Sequence, residues 1–499
     1  MEQSVTESSR RDRLSQAELR RALLLIALAW GVFGSMWANT VSGAPFAAYA
    51  RKLGATTLVY GLMASLPFLG TLAQIPGAYI VERTRRRKPL FVWSCLIARA
   101  SWLVAAALPW LFADAGPRVV GLMAVVFLSA ALGNLGSPGW LSWFGDVVPA
   151  RTRGKYIGVR ARLATLMGMI AALAAGYALD RSSAYWMYTV VLGVAALLGV
   201  SDTLLLFGVR EPHMTGSADP PRLMNIVLGP LRDEPFRRYL AYAASSALCQ
   251  WIIAPFVWLF ALEYLGLGKL TANLYLMVLP LAAMTVLFPL WGGLVDRYGC
   301  RPTLTLSWIG MSIFPVAWFF ATPVGNEWLA IVGVVTGAFS AGMQVAEFDL
   351  MFSMTPAEQR SAYLASVAVA SGLAATVAPA VGGAVGQALR GLDVSLWGLQ
   401  IGNLHVLLLL AVVLRVVHIV YFVPRLAEAD AKPAKRLAGD LLRMPFQALG
   451  IRRSLPEWAP WYRIHRRRRR PPEGPRRRPP GTPAGSEPPS SPGESAPSP

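Results

Sequence analysis

Val81-Glu82-Arg83-Thr84-Arg85-Arg86-Arg87-Lys88-Pro89 and Val295-Asp296-Arg297-Tyr298-Gly299-Cys300-Arg301-Pro302 are two versions of one phrase: a valine, an acid, an arginine, a short turn, further basic residues and a proline. Each follows an apolar run and precedes another. A second phrase repeats at almost the same interval. Pro149-Ala150-Arg151-Thr152-Arg153-Gly154-Lys155-Tyr156 and Pro356-Ala357-Glu358-Gln359-Arg360-Ser361-Ala362-Tyr363 share Pro-Ala, an Arg four after the Pro, and a Tyr three later. The chain therefore reads as one half duplicated.

Its 499 residues are 55% apolar and 15% charged, with 17 Trp and a mean hydropathy of +0.45, which exceeds the needs of a soluble core. The excess falls in blocks of the length that crosses a bilayer, roughly 20 residues each. Twelve blocks are predicted, at 22–46, 57–80, 90–113, 118–143, 159–179, 184–208, 239–263, 272–295, 303–321, 328–351, 362–386 and 398–423. Six precede a long polar break at 209–238 and six follow it. Proline interrupts several of them, as at Pro67, Pro138, Pro280 and Pro379, and membrane helices tolerate this because neighbours recover the freed backbone groups. The expected class is an all-α integral membrane protein of twelve transmembrane helices. Its segments are 1–21, a six-helix bundle over 22–208, a central loop over 209–238, a second bundle over 239–423 and a basic Pro-rich tail over 424–499.

Loop charge predicts the orientation. Alternate loops carry Arg83, Arg85, Arg151, Arg153, Arg232, Arg297 and Arg360, whereas the other set has only Arg51, Lys52, Arg118, Arg181, Lys269 and Arg390. The positive-inside rule makes the first set cytoplasmic, and both termini with it. Reporter fusions after Arg85 and after Pro220 are expected to signal cytoplasm, and one after Leu267 the exterior. A cytoplasmic signal at Leu267 contradicts the twelve-span reading.

A net charge of +20 raises nucleic acid as a partner for a soluble protein, but here topology accounts for most of it. The rest lies in Arg466 to Arg470 and Arg476 to Arg478, within Pro, Ser and Gly-rich sequence that cannot build a core. Two readings stay open: a solvated tail, or, with Trp458, Trp461 and Tyr462 upstream, a stretch that binds anionic lipids. Cys95, Cys249 and Cys300 give neither a disulfide framework nor a metal-ligand spacing. No phosphate-cradling G-x-x-x-x-G-K-[ST] is present, so no ATP-driven motor is expected in this sequence, and no cleavable leader is expected around 23–32. No cofactor, metal or enzymatic activity is expected.

Gly292-Gly293-Leu294-Val295-Asp296-Arg297-Tyr298-Gly299-Cys300-Arg301 resembles the signature loop of the major facilitator superfamily, G-x-L-a-D-R-x-G-R-[RK]. The first copy is looser: Glu82 replaces the Asp, Arg85 the loop Gly, and Gly77 lies one position early. Gly-Asp-Val-Val-Pro-Ala-Arg-Thr-Arg-Gly at 145–154 is similar to the family's loop between spans 4 and 5. The resemblance covers about residues 15 to 425 and implies two pseudo-symmetric six-helix bundles, a cargo site between them and alternating access. It also implies a conformational latch. Carboxylates favour helix N-termini, and guanidinium groups grip carboxylates bidentately. Carried over, Glu82 approaches the start of span 11 near Ser361, Arg86 approaches Asp146, and Asp296 approaches the start of span 5 near Gly154. Arg83, Arg153, Arg297, Arg301 and Arg360 complete the set. Cys300 stands where the second loop usually has Arg.

A charge inside hydrocarbon costs several kcal/mol, so each one needs a partner, a cavity or a route to the interface. Arg99 in span 3 and Asp202 in span 6 lie at similar depths and are expected to form a structural ion pair at the periphery, where the resemblance puts those spans. Arg415 and His418 in span 12 are expected to snorkel. The resemblance makes spans 1, 4, 7 and 10 cavity-lining, with Asn39, Asn134, Trp140, Gln250, Trp251 and Gln344 as candidates to touch substrate. Glu347 and Asp349 point in different directions from one helix. They are the candidate protonation sites, with a structural role at the cytoplasmic gate as the other reading.

The leading expectation is a secondary active transporter of a small organic solute, amphipathic or aromatic rather than a small ion, with proton coupling open. It is expected to be a monomer in a bacterial cell or inner membrane, with the bilayer and a small-molecule substrate as partners. The alternative is a non-transporting assembly factor, lipid- or pigment-handling protein or receptor on the same fold. Span 5 lacks the G-P-x-x-G-G-like motif of the family's drug exporters. The similar Ala378-Pro379-Ala380-Val381-Gly382-Gly383 lies in span 11 and suits close helix packing.

Overall fold

The structure is a computed structural model, described for residues 15–212, 233–355, 360–396, 399–426 and Leu437. The N-terminal segment before Ser15, most of the central loop and nearly all of the tail lie outside the described residues. So do the side chains of Arg153, Arg360 and Ser361 and the surroundings of Gly154.

Among the described residues, twelve helices are long and apolar enough to cross a membrane. They run Gln16–Lys52, Thr57–Thr84, Arg87–Leu111, Ala115–Val147, Tyr156–Arg181, Tyr185–Gly208, Glu234–Tyr264, Lys269–Tyr298, Cys300–Phe319, Leu329–Ser353, Ser366–Ala388 and Asn403–Arg425, called spans 1 to 12 below. Many reach several residues beyond the apolar blocks, because a helix does not stop where the hydrocarbon does. Span 1 starts early because Ser15 and Glu18 form a reciprocal cap, the Ser15 amide donating to Glu18 at 2.8 Å and the Glu18 amide to Ser15 Oγ at 3.2 Å. Near the cavity described below, span 1 widens into a π-helical stretch over Ala29–Gly34. A feature absent from the hydropathy pattern is an antiparallel hairpin between spans 11 and 12, Asp393–Leu396 with Leu399–Gly402, in the register Asp393 to Gly402.

The repeated loops differ at their turns. Gly299 takes φ +95°, and its counterpart Arg85 takes φ +55°, the one non-glycine residue with positive φ among those described. A side chain in that region costs about 1–2 kcal/mol, so the first loop keeps its turn at the expense of strain that glycine avoids in the second.

Among the described residues the apolar core has three parts. One contains Tyr49, Leu53, Tyr60 and Leu192 from the first half together with Phe256, Phe260, Trp318 and Leu407 from the second. It lies at the end of the bundle away from the repeated loops, here the far end. At the opposite, basic end each half has its own core. Phe236, Tyr242, Trp308 and Leu350 form one, and Ile26, Trp143, Phe144 and Val209 the other. The halves therefore share buried surface at the far end and separate toward the basic end. Spans 2 and 11 cross closely at the far end. A Cβ on Gly61 would stand 2.4 Å from the Pro379 carbonyl oxygen, so the Gly382-Gly383 stretch meets a partner that only glycine permits.

Candidate functional site: a cavity between the halves

A cavity of about 720 Å³ lies against spans 1 to 7, from Ile26 and Arg160 near the basic end to Phe46 and Tyr60 near the far end. Its wall is mostly aromatic and aliphatic, with Trp30, Trp102, Trp140, Trp251 and Trp258 among its members. The charged residues on it are Arg99, Arg160 and Asp202.

Arg99 and Asp202 are both buried, and Arg99 Nη2 stands 3.5 Å from Asp202 Oδ2. The guanidinium also lies over the Trp37 ring, 3.6 Å from its centroid, and Trp37 meets Trp102 edge to face. Two glycines make the room. A Cβ on Gly34 would fall 2.7 Å from Asp202 Oδ2, and one on Gly199 would fall 2.9 Å from Arg99 Cδ. The expectation of a purely peripheral pair is corrected, since both residues stand on the cavity wall. Spans 3 and 6 reach it because glycines on spans 1 and 6 let the charged side chains pass between helices.

The other candidates divide. Asn134, Trp140 and Trp251 line the cavity, and Asn134 Oδ1 accepts a hydrogen bond from Gln74 at 2.8 Å. Asn39 does not line it; its amide donates to Ser35 O at 2.7 Å and packs on Gly168 of span 5. Gln250 is also off the wall, donating to Ser246 at 3.1 Å. Gln344 borders a smaller depression of about 440 Å³ near the basic end, together with Asp296 and Asp349.

Glu347 likewise stands off the main cavity. Its Oε1 accepts from Tyr242 at 2.9 Å and from Ser246 at 2.8 Å, and Tyr242 accepts from Trp308 at 3.2 Å. This network ties spans 7, 9 and 10 together within the second half. Span 12 joins it through His418, whose ring lies 4.4 Å from that of Trp308 and whose Nδ1 is 2.9 Å from Ser245 Oγ. Snorkelling is corrected for both residues of span 12. His418 and Arg415 are buried, and Arg415 donates to Met311 O at 2.6 Å. Pro315 explains that contact, because it has no N–H for the carbonyl four residues earlier.

At the basic end the acid on span 4 is held by a different arginine from the expected one. Arg87, not Arg86, reaches Asp146, with Nη1 at 2.5 Å from Oδ2; it also donates to Ser142 at 2.9 Å and to Pro212 O at 2.7 Å. The span 3 helix begins at Arg87, so Arg86 sits in the preceding turn and stays exposed while Arg87 turns inward. Glu211 accepts from the amides of Arg87 at 2.9 Å and Lys88 at 3.2 Å, placing a carboxylate at the helix N-terminus. In the second half the acid on span 10 is met by the first residue of span 9, Cys300 Sγ donating to Asp349 Oδ2 at 3.2 Å, although in the repeated phrase Cys300 aligns with Arg86. Glu82 and Asp296 are exposed, and neither makes a hydrogen bond or ion pair among the described residues. Arg83 is exposed and donates to Tyr79 at 3.2 Å, and Arg297 lies over the Tyr298 ring at 5.1 Å. Arg301 is partly buried at the start of span 9.

The far end is closed by contacts that the sequence did not mark. Arg51 at the end of span 1 grips Glu263 at the end of span 7 through Nε and Nη2. Asp180 at the end of span 5 accepts from the amides of Lys269 at 2.7 Å and Leu270 at 2.9 Å, the first residues of span 8. Asn273 accepts from the Ala44 amide at 3.2 Å and donates to Ala172 O at 2.6 Å. Each pairing joins one half to the other.

Residues 27–284 and 239–472 both match the description of the Major Facilitator Superfamily. The chain belongs to this superfamily. It is similar to the class H tetracycline resistance protein of Pasteurella multocida, at 25% identity over 126 residues, a match covering 25% of this chain and 31% of that relative. The chain thus spans about a third of the length of that relative. Among solved structures, a mutant of the nucleoside transporter NupG matches at TM-score 0.65 and 11% identity, covering 81% of this chain and all of that one, 100%. A bacterial homologue of the human lysosomal transporter Spinster, inward-facing and unoccupied, matches at 0.60 and 16%, covering 83% and 98%. A D-xylose–proton symporter matches at 0.60 and 15%, covering 83% and 98%. At these identities the likeness establishes the fold, that of a multi-pass membrane protein of the transporter superfamily.

Proposed function

We propose that the chain is a secondary transporter that carries a small organic solute through the cavity by alternating access, its two six-helix halves rocking about the cargo. The observation that carries this reading is the arrangement of the cores, shared across the halves at the far end and separate at the basic end, with the cavity walled by spans 1 to 6 of the first half and by span 7 of the second. A bundle closed at one end and divided at the other is half of an alternating cycle. Loop charge makes the basic end cytoplasmic, so this state faces inward, in a bacterial cell or inner membrane. The domain limits, the monomeric state and the lipid-binding role of the tail are part of the same reading. Glu82 and Asp296, without a hydrogen bond or ion pair among the described residues, are the groups that engage the opposite half when the basic end closes.

Proton coupling is assigned to Asp202 rather than Glu347. Asp202 is the carboxylate on the cavity wall, and a proton there releases Arg99 from its partner, changing the charge that a cargo meets. Everted vesicles supplied externally with labelled aromatic and amphipathic solutes, with and without a pH gradient, test this. Uptake of at least one solute is expected to depend on the gradient and to lose that dependence in Asp202→Asn. Gradient-driven uptake that persists in Asp202→Asn contradicts the assignment.

A further inference from the structure

The cavity wall carries an uncompensated positive charge. Asp202 is its one carboxylate, and Arg99 already engages it at 3.5 Å. Arg160 is the second guanidinium on the wall, and it makes no hydrogen bond or ion pair among the described residues. Its Nε is buried without a partner, as is the Nε of Arg99. What Arg160 has instead is aromatic surface: its guanidinium carbon lies 5.6 Å from the Trp140 centroid and 5.5 Å from that of Phe144. A guanidinium on the wall of a mostly apolar cavity, with its Nε buried, is costly unless something repays its desolvation. Contact with two ring faces offsets only part of that cost, about 0.5–2 kcal/mol for each well-placed face.

Resting on the reading that the cavity holds the cargo, we propose that its cargo is an organic anion with a flat apolar body, its acidic group paired with Arg160 and its body set against the tryptophans of the wall. Guanidinium donors match carboxylate and phosphate oxygens in a planar, bidentate way that a neutral solute cannot use. The volume, about 720 Å³, suits a body of drug size, and aromatic lining with few polar groups is what such bodies require. A cationic cargo meets the opposite situation. Its one possible anchor is Asp202, which Arg99 neutralises, and Arg160 repels it.

A matched trio of probes tests the charge alone: naphthoate, naphthylmethanol and naphthylmethylammonium, measured by equilibrium dialysis against the purified full chain in detergent. Naphthoate is expected to bind about tenfold more tightly than the ammonium ion, the equivalent of about 1.4 kcal/mol. Arg160→Gln is expected to remove that preference while leaving naphthylmethanol binding unchanged, and Arg160→Lys to keep it. Equal or tighter binding of the ammonium ion by the wild-type chain overturns the anion inference, and the wild-type comparison needs no variant to fold. Unchanged naphthoate binding in a monodisperse Arg160→Gln protein overturns it too. In both cases binding of naphthylmethanol leaves the cavity reading standing, whereas failure of all three probes to bind removes that reading as well.

Discussion

Arg87→Ala is expected to lower the thermal unfolding midpoint of the purified protein by roughly 6–12 °C, from a loss of about 3 kcal/mol at about 2–4 °C per kcal/mol for a bundle of this size. Arg87 is fully buried at the start of span 3 and holds Asp146, Ser142 and Pro212 O in place, with Glu211 beside it. Hydrogen bonds to charged groups are each worth about 1.5–3 kcal/mol, but the full sum is not lost. The side chain of Asp146 is 48% exposed and that of Glu211 22%, so water takes over part of their solvation once the guanidinium is gone. Arg86→Ala is the control. Arg86 is exposed one position earlier, and its removal is expected to shift the midpoint by less than about 2 °C, in keeping with a surface change. Equal shifts in the two variants would show that the basic loop acts through net charge rather than through this clamp.

Asp180→Ala is expected to open the far end. Its carboxylate accepts from two backbone amides at the start of span 8 and lies 3.7 Å from Lys269 Nζ, so it holds a helix N-terminus of one half to the last turn of span 5 in the other. A carboxylate in such a position is worth up to about 2 kcal/mol, enough to move a two-state equilibrium by a factor of up to roughly 30. The readout is a thiol introduced at Ala64 on the cavity wall, in a background without the three native cysteines, labelled from outside by a membrane-impermeant maleimide. Labelling is expected to accelerate about tenfold or more in Asp180→Ala. An unchanged rate in a normally inserted protein contradicts the gate.

The twelve spans and the duplicated halves were legible in the sequence because their signals are local: an apolar run of bilayer length, and loops repeated at one interval. The turn of the second signature loop was legible for the same reason, through Gly299. What was not legible depends on which way a helix faces. Whether Arg86 or Arg87 meets Asp146 turns on the one residue at which span 3 begins. Arg99 and Asp202 read as a pair from their depths, yet their place on the cavity wall depends on Gly34 and Gly199, whose role shows only once spans 1, 3 and 6 are packed. Glu347 looked like a cavity carboxylate, and the hydroxyls that occupy it, Tyr242 and Ser246, lie about a hundred residues earlier in the chain. The far-end contacts of Arg51, Asp180 and Asn273 join residues from opposite halves, so no spacing within either half announces them.

Spin-label distances across the two ends test the central claim most directly. One pair, at Arg85 and Ser353, spans the basic end; the other, at Ala184 and Val324, spans the far end, and all four positions are exposed. Double electron–electron resonance on the wild-type chain and on Asp180→Ala is expected to show the two distances moving in opposite directions, the far-end pair lengthening as the basic-end pair shortens. Far-end opening with no closure at the basic end, or no change at either, would contradict alternating access by this chain.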